Sequence, residues 1–484
     1  MADNLQQKTF SGMIWTFVKQ FTLQGFAFVQ GIVLARLLVP EDYGLIAMTQ
    51  FFFAISACFI DSGFTSALMR KKNRSEIDYS TVFVTNIVLT FFFSILLIVC
   101  APLIADFYDK PILKNIVRAN ALLLFLNSIN AVQGTRLRIN LQFKISSFIS
   151  VVCNITIGIV TIIFAYLGYG VWSLIYPNYL APILYFIMYW YFQRWYPKIK
   201  FSWNIWKDYF SYGSKLLASN LIGNVYTNIY PLLIGKIYDS KQLGFYSRGQ
   251  GYSNLPINTF QGVLGSVTFP ILCSIQDKDD ILLGAYRRLI RIIAFIIFPI
   301  MMGLAVMARP AVLFLITDKW ENCIVYLQIL CFASMWSPFQ TINQNILQVK
   351  GRSDLSLRME IISKIAGVFI LIITIPFGIV YLCIGQIVHS IICLVINFIF
   401  INKIMNFTFW MQIKNIFPSF FISLIMSCLV ILCTLPINSI FLKLFVGIMV
   451  GIVSYVSLSR RINSDDYKYI VHLFRNYFHK KVFG

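Results

Sequence analysis

Charged side chains are scarce in this 484-residue chain, of which 12% is Asp, Glu, Lys or Arg and 58% is hydrophobic. Soluble domains of ordinary composition are about a quarter charged. Two long windows, 145–193 and 365–402, contain no Asp, Glu, Lys or Arg. Because a membrane-spanning helix needs about 20 apolar residues, each window is long enough for two spans. The shortage of charge therefore excludes a soluble globular protein.

Signals of catalysis, metal binding and disulfide bonding are also missing. The chain has 3 histidines and no HExxH, P-loop or GxSxG motif, so we expect no enzymatic activity, no cofactor and no direct use of ATP. Its 10 cysteines are scattered through apolar segments without a CxxC pair, which is typical of small buried hydrophobic residues and not of metal ligands. The polar start MADNLQQKTF has no cleavage site after it, and we interpret it as the mature N-terminus.

The apolar segments predict an all-α integral membrane protein with about fourteen transmembrane helices. The predicted spans are 13–38, 44–69, 82–105, 114–134, 147–167, 170–193, 211–236, 250–275, 290–316, 323–347, 361–379, 381–402, 415–435 and 437–459. With both termini in the cytoplasm, about two thirds of the 40 Lys and Arg residues lie in inside segments and about a fifth in outside segments, as the positive-inside rule requires.

The basic composition follows from this orientation. We attribute the net charge of +21 to membrane topology and to attraction by anionic lipid headgroups, and we expect membrane lipids and no nucleic acid as partners. The tail DDYKYIVHLFRNYFHKK, Asp465–Lys481, predicts a cytoplasmic helix that lies on the membrane surface.

A charged motif occurs twice, two hundred residues apart. The first copy is LARLLVPEDYGLIAM (Leu34–Met48) and the second is IGKIYDSKQLGFYSR (Ile234–Arg248). Each copy has a basic residue in third place, acids in the middle and then a glycine, Gly44 or Gly244, next to an aromatic residue. Because six predicted spans separate the copies, both enter the membrane from the same side, which indicates parallel repeats.

The repeat predicts two parallel six-helix lobes, an N-terminal lobe at 1–200 and a C-terminal lobe at 201–404. An extra transmembrane helix pair follows at 405–460, and a basic cytoplasmic tail at 461–484. Two similar lobes would enclose a cleft that rocking exposes to each side of the membrane in turn.

Basic and amide side chains within spans are the candidates for a substrate path, because charge inside a membrane is expensive and usually faces a cavity. Lys19 lies in the first span beside Gln20 and Gln24. Six further basic candidates lie near span ends: Arg36, Arg118, Lys215, Lys236, Arg248 and Lys364. The alternative for a terminal cation is snorkelling toward headgroups. For Arg36 the alternative is a structural ion pair with Glu41 or Asp42. For Lys236 the alternative is a structural ion pair with Asp239.

Asp61 is the one acid well inside a predicted span, and it is a candidate for coupling to a cation or proton. It could equally pair with a basic residue or cap a break at Ser62–Gly63. Several amides of the second lobe could bind sugar hydroxyls or could hold helices together. They are Asn220, Asn224, Asn228, Asn343, Gln344 and Asn345.

Four stretches carry a resemblance to a known family. They are LARLLVPEDYGLIAM, DSGFTSALMRKK (Asp61–Lys72), QLGFYSRGQ (Gln242–Gln250) and SVTFPILCSI (Ser266–Ile275). With them the chain resembles the WzxC-type lipopolysaccharide biosynthesis flippases, in the polysaccharide transporter family of the multidrug/oligosaccharidyl-lipid/polysaccharide exporter superfamily.

The resemblance implies transport of an undecaprenyl-diphosphate-linked oligosaccharide from the cytoplasmic to the periplasmic leaflet of a bacterial inner membrane, for O-antigen, capsule or exopolysaccharide synthesis. It also implies a polysaccharide polymerase and chain-length proteins as further partners.

Three other functions fit parts of the pattern. A cation-coupled drug or small-solute antiporter of the same superfamily needs an acid-lined site, whereas this chain has one intramembrane Asp and several cations. A membrane polysaccharide polymerase or glycosyltransferase typically carries large outside loops, and the predicted outside connections are all short. A membrane scaffold would have no need of internal charge.

Overall fold

The computed structural model describes residues 2–61, 63–71, 73–193, 195–197, 199–264, 268–405, 407–462 and 466–469. Within these ranges every regular element is a helix, so the all-α prediction is confirmed. Helices are the expected solution in a membrane, because lipid offers no partner for backbone N–H and C=O groups. The chain forms two compact units, Met1–Ser247 and Arg248–Gly484.

The first unit holds nine complete helices among its described residues and the start of a tenth. These are α1 (Ala2–Leu37), α2 (Pro40–Asp61), α3 (Phe64–Arg70), α4 (Glu76–Phe107), α5 (Ile112–Ser128), α6 (Ala131–Ile139), α7 (Phe143–Tyr166), α8 (Leu180–Gln193), α9 (Trp203–Ile237) and α10 (Ser240–Val263). Two short 3₁₀ helices, Gly170–Leu174 and Tyr176–Tyr179, connect α7 to α8.

The second unit continues α10 and adds further helices. They are α11 (Phe269–Ser274), α12 (Asp279–Val306), α13 (Ala308–Ile316), α14 (Cys323–Ser334), α15 (Ser337–Val349), α16 (Ser353–Thr374), α17 (Ile379–Met405), α18 (Phe409–Thr434) and α19 (Ile440–Ile462). Short 3₁₀ helices at Asp318–Trp320 and Ile375–Phe377 join α13 to α14 and α16 to α17.

Each predicted span falls on one α-helix or on consecutive helices, and the span 170–193 begins with two 3₁₀ helices before α8. The turns expected at YLGYG and IPFGI are present, with Gly168 at a φ of 84° and Gly378 at a φ of 110°. Ten helical segments of the described chain are long and apolar enough to cross a membrane, or eleven if α5 and α6, bent by 40°, form one span. The long helices that fall short of this criterion are α1, α9 and α10, because they carry many polar residues.

Helix α9 belongs by packing to the first unit, where it contacts α2, α3 and α4. The sequence repeat places the same helix at the start of the second lobe. The contact boundary therefore follows Ser247, inside α10, and differs from the lobe boundary at residue 200. The lobes at 1–200 and 201–404 stay a prediction.

A buried carboxylate organises one end of the first unit. The Asp78 side chain is 1% exposed and lies 2.6 Å from the Lys71 ammonium. It also accepts hydrogen bonds from the Tyr209 hydroxyl at 2.8 Å and from the backbone N–H of Ser75 at 2.7 Å. Aromatic and aliphatic side chains of α3, α4, α6 and α9 pack around this group. The start of α4 is thereby tied to α9 through charge and through apolar contact.

We predict that Asp78→Ala destabilises the protein by about 1–3 kcal/mol, because it leaves the buried Tyr209 hydroxyl and the backbone N–H of Ser75 without their acceptor. The matched control is Glu321→Ala, which removes the exposed ion pair with Arg309 and changes stability by about 0–1 kcal/mol. Thermal unfolding of both variants in detergent micelles measures the difference. Equal melting temperatures for the two variants would contradict this role of Asp78.

Candidate functional site

The two copies of the repeated motif cross each other at backbone contact. A Cβ added to Gly44, on α2, would lie 1.6 Å from the backbone oxygen of Ser240. A Cβ added to Gly244, on α10, would lie 1.8 Å from the backbone oxygen of Pro40. Pro40 and Ser240 hold equivalent positions in the two copies, as do the two glycines, so the contact is reciprocal. Only glycine allows this approach at both positions.

The crossing is packed with the apolar residues of the same motif. Met48 from the first copy and Leu243 and Tyr246 from the second are fully buried. The Tyr108 hydroxyl, at the end of α4, donates a hydrogen bond to the Met48 carbonyl at 3.1 Å. The crossing is therefore a dry, closed contact between the beginnings of α2 and α10.

Acids of the motif cap the two helices that cross. An Asp42 carboxylate oxygen accepts the backbone N–H of Val39 at 3.2 Å, before α2. An Asp239 oxygen accepts the backbone N–H of Gln242 at 2.6 Å, at the start of α10. A carboxylate at a helix N-terminus satisfies an unpaired donor and matches the helix dipole. The acids therefore have a structural reason to recur in both copies.

Exposed ion pairs surround the crossing. The Lys236 ammonium pairs with Asp109 at 3.2 Å, and the Glu41 carboxylate pairs with Lys110 at 3.1 Å. The same Glu41 oxygen accepts the Ser240 hydroxyl at 3.1 Å. Lys236 thus makes a structural ion pair, as one alternative predicts, but with Asp109 and not with Asp239. Each pair contributes about 0–1 kcal/mol because both partners are solvated, so these contacts can break at low cost.

Lys19 lies half-buried on α1, and Arg138 of α6 is close enough to act on it electrostatically. Within the described residues Lys19 has no ion pair. Two nearby cations without an acid create a local positive potential that favours an anion. Gln24 is half-buried one turn from Gln20, which is exposed. The sequence places Arg138 in an inside loop, and only the structure brings it near Lys19.

The remaining basic candidates differ in their surroundings. Lys364 pairs with Glu360 at 2.6 Å, one helical turn away, so its charge is largely neutralised. The Arg248 guanidinium lies 5.2 Å from the Tyr252 ring and 5.5 Å from the buried Trp320 ring. Arg36 ends α1 and is exposed. Arg118 is exposed on α5, and the side chain of Lys215, on α9, lies outside the described residues.

Asp61 is the last residue of α2 and is exposed. The predicted break follows it, since Gly63 has a φ of 70° and α3 begins at Phe64. Among the described residues Asp61 makes no ion pair, so the pairing alternative finds no support there. Ser62, the other half of the break, lies outside the described residues. A role of Asp61 in ion coupling stays a prediction.

Two of the amides that we considered for sugar binding contact a neighbouring helix. The Asn224 amide donates to the Cys58 sulfur at 3.1 Å and to the Asn220 carbonyl at 3.0 Å. Asn343 is buried and accepts a hydrogen bond from the Tyr286 hydroxyl. These contacts join α2 to α9 and α12 to α15, which is the interhelical role of the alternative reading.

Sequence reasoning missed the roles of Gly44, Gly244 and Asp78. The sequence could have identified the two glycines, because both occur at the same position of the repeat. Asp78 gave no signal, because it precedes the predicted span and resembles any loop acid. Its burial depends on α9, which is distant in the chain and supplies Tyr209.

The described chain combines long apolar helices, three long polar helices and a repeated motif whose two copies cross. This combination is the architecture of a multi-span membrane transporter. A model of the family described as "Polysaccharide biosynthesis protein" matches residues 33–325. The chain belongs to this family, and the predicted resemblance to polysaccharide transporters is confirmed.

The curated relatives are similar over most of their length. The chain is 24% identical over 361 residues to the teichuronic acid biosynthesis protein TuaB of Bacillus subtilis, covering 73% of this chain and 74% of the relative. It is 22% identical over 435 residues to the lipopolysaccharide biosynthesis protein WzxC of Escherichia coli, covering 87% and 86%.

A solved structure shares the fold. The inward closed conformation of the lipid II flippase MurJ superposes with a TM-score of 0.76 at 16% identity, covering 94% of this chain and 99% of that one. At this identity the likeness shows the fold alone.

We predict that Gly44→Ala and Gly244→Ala each destabilise the protein by about 1–3 kcal/mol, because a methyl group cannot fit against the crossing backbone. The double variant should lose less than the sum of the two, since either substitution alone separates the same contact. Thermal unfolding in detergent measures all three variants. Gly25→Ala is the control, because an added Cβ there meets nothing within 4 Å. Full additivity would argue against a shared contact.

Proposed function

We propose that this protein is a flippase that moves undecaprenyl-diphosphate-linked oligosaccharide repeat units from the cytoplasmic to the periplasmic leaflet of a bacterial inner membrane. The single observation that carries this proposal is the family match over residues 33–325. Relatives named for teichuronic acid and lipopolysaccharide biosynthesis support it. So does the shared fold with a lipid II flippase. A polysaccharide polymerase and chain-length proteins would act on the product.

The transporter has fourteen spans, with both termini in the cytoplasm. Ten segments are apolar enough to cross a membrane, α5 and α6 together form the eleventh span, and α1, α9 and α10 supply the other three. A polar helix can span a membrane when its polar face lines protein or a water-filled path. We assign that path to the faces of these three helices, in two lobes whose rocking would open and close the motif crossing.

The ion pairs within each unit support the predicted alternation of sides. In the first unit, Lys110 and Glu41 come from two connections that both lie outside in the prediction. Lys71, Asp78 and Tyr209 come from segments that lie inside. In the second unit, Lys350 pairs with Asp279, and both belong to predicted inside segments. A miscounted span would have brought inside and outside connections together.

The chemistry of the cargo matches the charges on the path. A polyprenyl tail can stay in lipid, whereas the diphosphate and the sugars need a hydrated, polar route. Lys19 and Arg138 offer the diphosphate a positive site that no described acid neutralises. Arg248, held against Tyr252 and Trp320, is a further candidate cation near the end of a predicted span.

The motif crossing acts as the outer gate. It is closed in this structure, with Gly44 and Gly244 in backbone contact with the opposite helix. Opening requires the two helices to separate and the exposed pairs Glu41–Lys110 and Lys236–Asp109 to exchange partners or to hydrate. Because these pairs are worth little individually, they add little to the cost of opening, which lies mainly in separating the buried contacts of Met48, Leu243 and Tyr246.

A cation-coupled drug antiporter is the alternative function within the same superfamily. Asp61 is the residue that would serve it, since it is an exposed acid at the end of α2. One acid among several cations favours an anionic cargo over a cationic drug.

Deletion of the gene in its native host separates these functions. Loss of a flippase leaves undecaprenyl-linked repeat units on the cytoplasmic leaflet, protected in spheroplasts from a membrane-impermeant oxidant such as periodate. Normal surface glycan with altered drug sensitivity would indicate the antiporter. Accumulation of single repeat units on the periplasmic leaflet would indicate a polymerase.

We predict that Lys19→Ala lowers glycan export about 10- to 100-fold, because a charge-assisted hydrogen bond to phosphate is worth about 1.5–3 kcal/mol. Arg248→Ala should act in the same direction, and Lys19→Arg should retain most activity. Surface glycan in the complemented deletion strain measures export, normalised to protein in the membrane. Lys200→Ala, an exposed cation outside the helices, is the control. Wild-type export by both alanine variants would refute the cationic path.

A further inference from the structure

A cavity of about 240 Å³ opens beside the first turns of α12 in the second unit. It lies outside the path described above, and nothing in the proposed transport cycle requires it. Its lining is strongly basic and comes from α12 and from the segment after α19: Gly284, Arg287, Arg288, Arg291, Ile292, Asp466 and Tyr469.

Helical periodicity places the three arginines of the cavity on one face of α12. Residues 284, 287, 288 and 291 follow the spacing of i, i+3, i+4 and i+7, which puts them along one side of a helix. Tyr286 and Ile290 point the opposite way and are fully buried. A Cβ added to Gly284 would meet nothing within 4 Å, so the glycine leaves space beside the arginines.

Aromatic rings hold two of the guanidinium groups without neutralising them. The Arg288 guanidinium lies 4.4 Å from the Tyr469 ring, and that of Arg287 lies 4.9 Å from the Phe407 ring. Neither has a carboxylate partner among the described residues. A cation stacked on a ring keeps its charge and its hydrogen-bond donors.

The third arginine is partly neutralised. One terminal nitrogen of Arg291 is 3.8 Å from an Asp466 carboxylate oxygen, which is long for an ion pair. Its Nε donates a hydrogen bond to the Asn415 side chain at 2.7 Å, which fixes the guanidinium in place. Three arginines face one carboxylate, so the cavity keeps a positive charge and several unused donors.

The cavity lies where α12 enters its apolar stretch. Residues 292–308, directly after Arg291, contain no Asp, Glu, Lys or Arg. The helix Asp279–Val306 is long and apolar enough to span a membrane. Arg287–Arg291 therefore lie at the depth of the lipid headgroups, on the side that the topology assigns to the cytoplasm. Anionic headgroups are concentrated at that depth and attract clustered Lys and Arg.

We propose that Arg287, Arg288 and Arg291 form a binding site for the phosphate of an anionic lipid headgroup. Guanidinium groups bind phosphate through paired, charge-assisted hydrogen bonds, and three of them surround a space that admits one headgroup. The site lies between α12 and the segment that carries Asp466 and Tyr469. A bound phosphate would therefore also hold that segment against α12. The inference stands on this geometry and not on the transported cargo.

The test is lipid binding to the purified full-length protein in detergent, measured by native mass spectrometry and by thermal stabilisation. The probes are phosphatidylglycerol, phosphatidylcholine and inorganic phosphate. The double variant Arg287→Gln/Arg288→Gln should bind phosphatidylglycerol at least tenfold more weakly than the wild type. The matched control is Arg460→Gln/Arg461→Gln, which removes two exposed arginines from the last turn of α19 and should bind as the wild type does.

The source of the phosphate is decided by competition. Weak binding of phosphatidylcholine and no displacement by inorganic phosphate assign the site to an anionic lipid. Displacement of the lipid by millimolar inorganic phosphate, lost in the pocket variant, assigns the same site to a soluble phosphate. Equal weakening in the pocket and control variants, or equal binding of the two lipids, would show general surface charge and overturn the proposal.

A charge-preserving variant distinguishes loss of the binding site from misfolding of the protein. Arg287→Lys/Arg288→Lys keeps both charges but replaces the planar forks with point charges, and we expect a several-fold loss of phosphatidylglycerol binding from a protein that melts normally without lipid. Unchanged binding in this variant would contradict a site that depends on guanidinium geometry.

Discussion

The cost of leaving a polar group unpaired in hydrocarbon is the constraint on which this structure depends. It explains why the regular elements of the described chain are all helical and why charges are few. It also explains how charged side chains can lie buried or half-buried in the protein. Asp78 is buried because Lys71, Tyr209 and Ser75 satisfy it. Lys19 is half-buried without such partners among the described residues, which is why it stands out as a candidate for contact with cargo.

The same constraint separates two kinds of long helix. Most contain an apolar stretch long enough to cross a membrane, whereas α1, α9 and α10 do not. Polar helices of this kind require water or protein around much of their surface. A membrane protein that moves a large, sugar-bearing anion needs such surfaces, and a scaffold does not.

Much of the fold could be predicted from the sequence, because span length and hydropathy are local properties. Among the described residues the predicted spans fall on helices, and the breaks at Gly63, Gly168 and Gly378 fall where the sequence indicates them. The packing boundary after Ser247 could not be predicted from the repeat. A sequence repeat reflects common ancestry, whereas the packing of α9 against α2 depends on how their side chains fit together. The predicted tail helix, Asp465–Lys481, lies mostly outside the described residues, although 466–469 are helical.

For the candidate site, the sequence indicates which side chains are unusual but not which of them meet. It singles out Lys19 and Lys236 as charges near or within predicted spans. It cannot show that Arg138 lies near the first, or that Asp109 and not Asp239 pairs with the second. These neighbours are distant in the chain, and their proximity depends on how helices cross.

The reciprocal contact of Gly44 and Gly244 has a consequence for the ancestry of the fold. A surface that binds its own copy with two-fold symmetry is the kind that joins identical subunits into a homodimer. The motif would therefore serve equally well between two separate six-helix chains. Gene duplication and fusion would then preserve an association that already existed, and a change in either half would have to remain compatible with its twin.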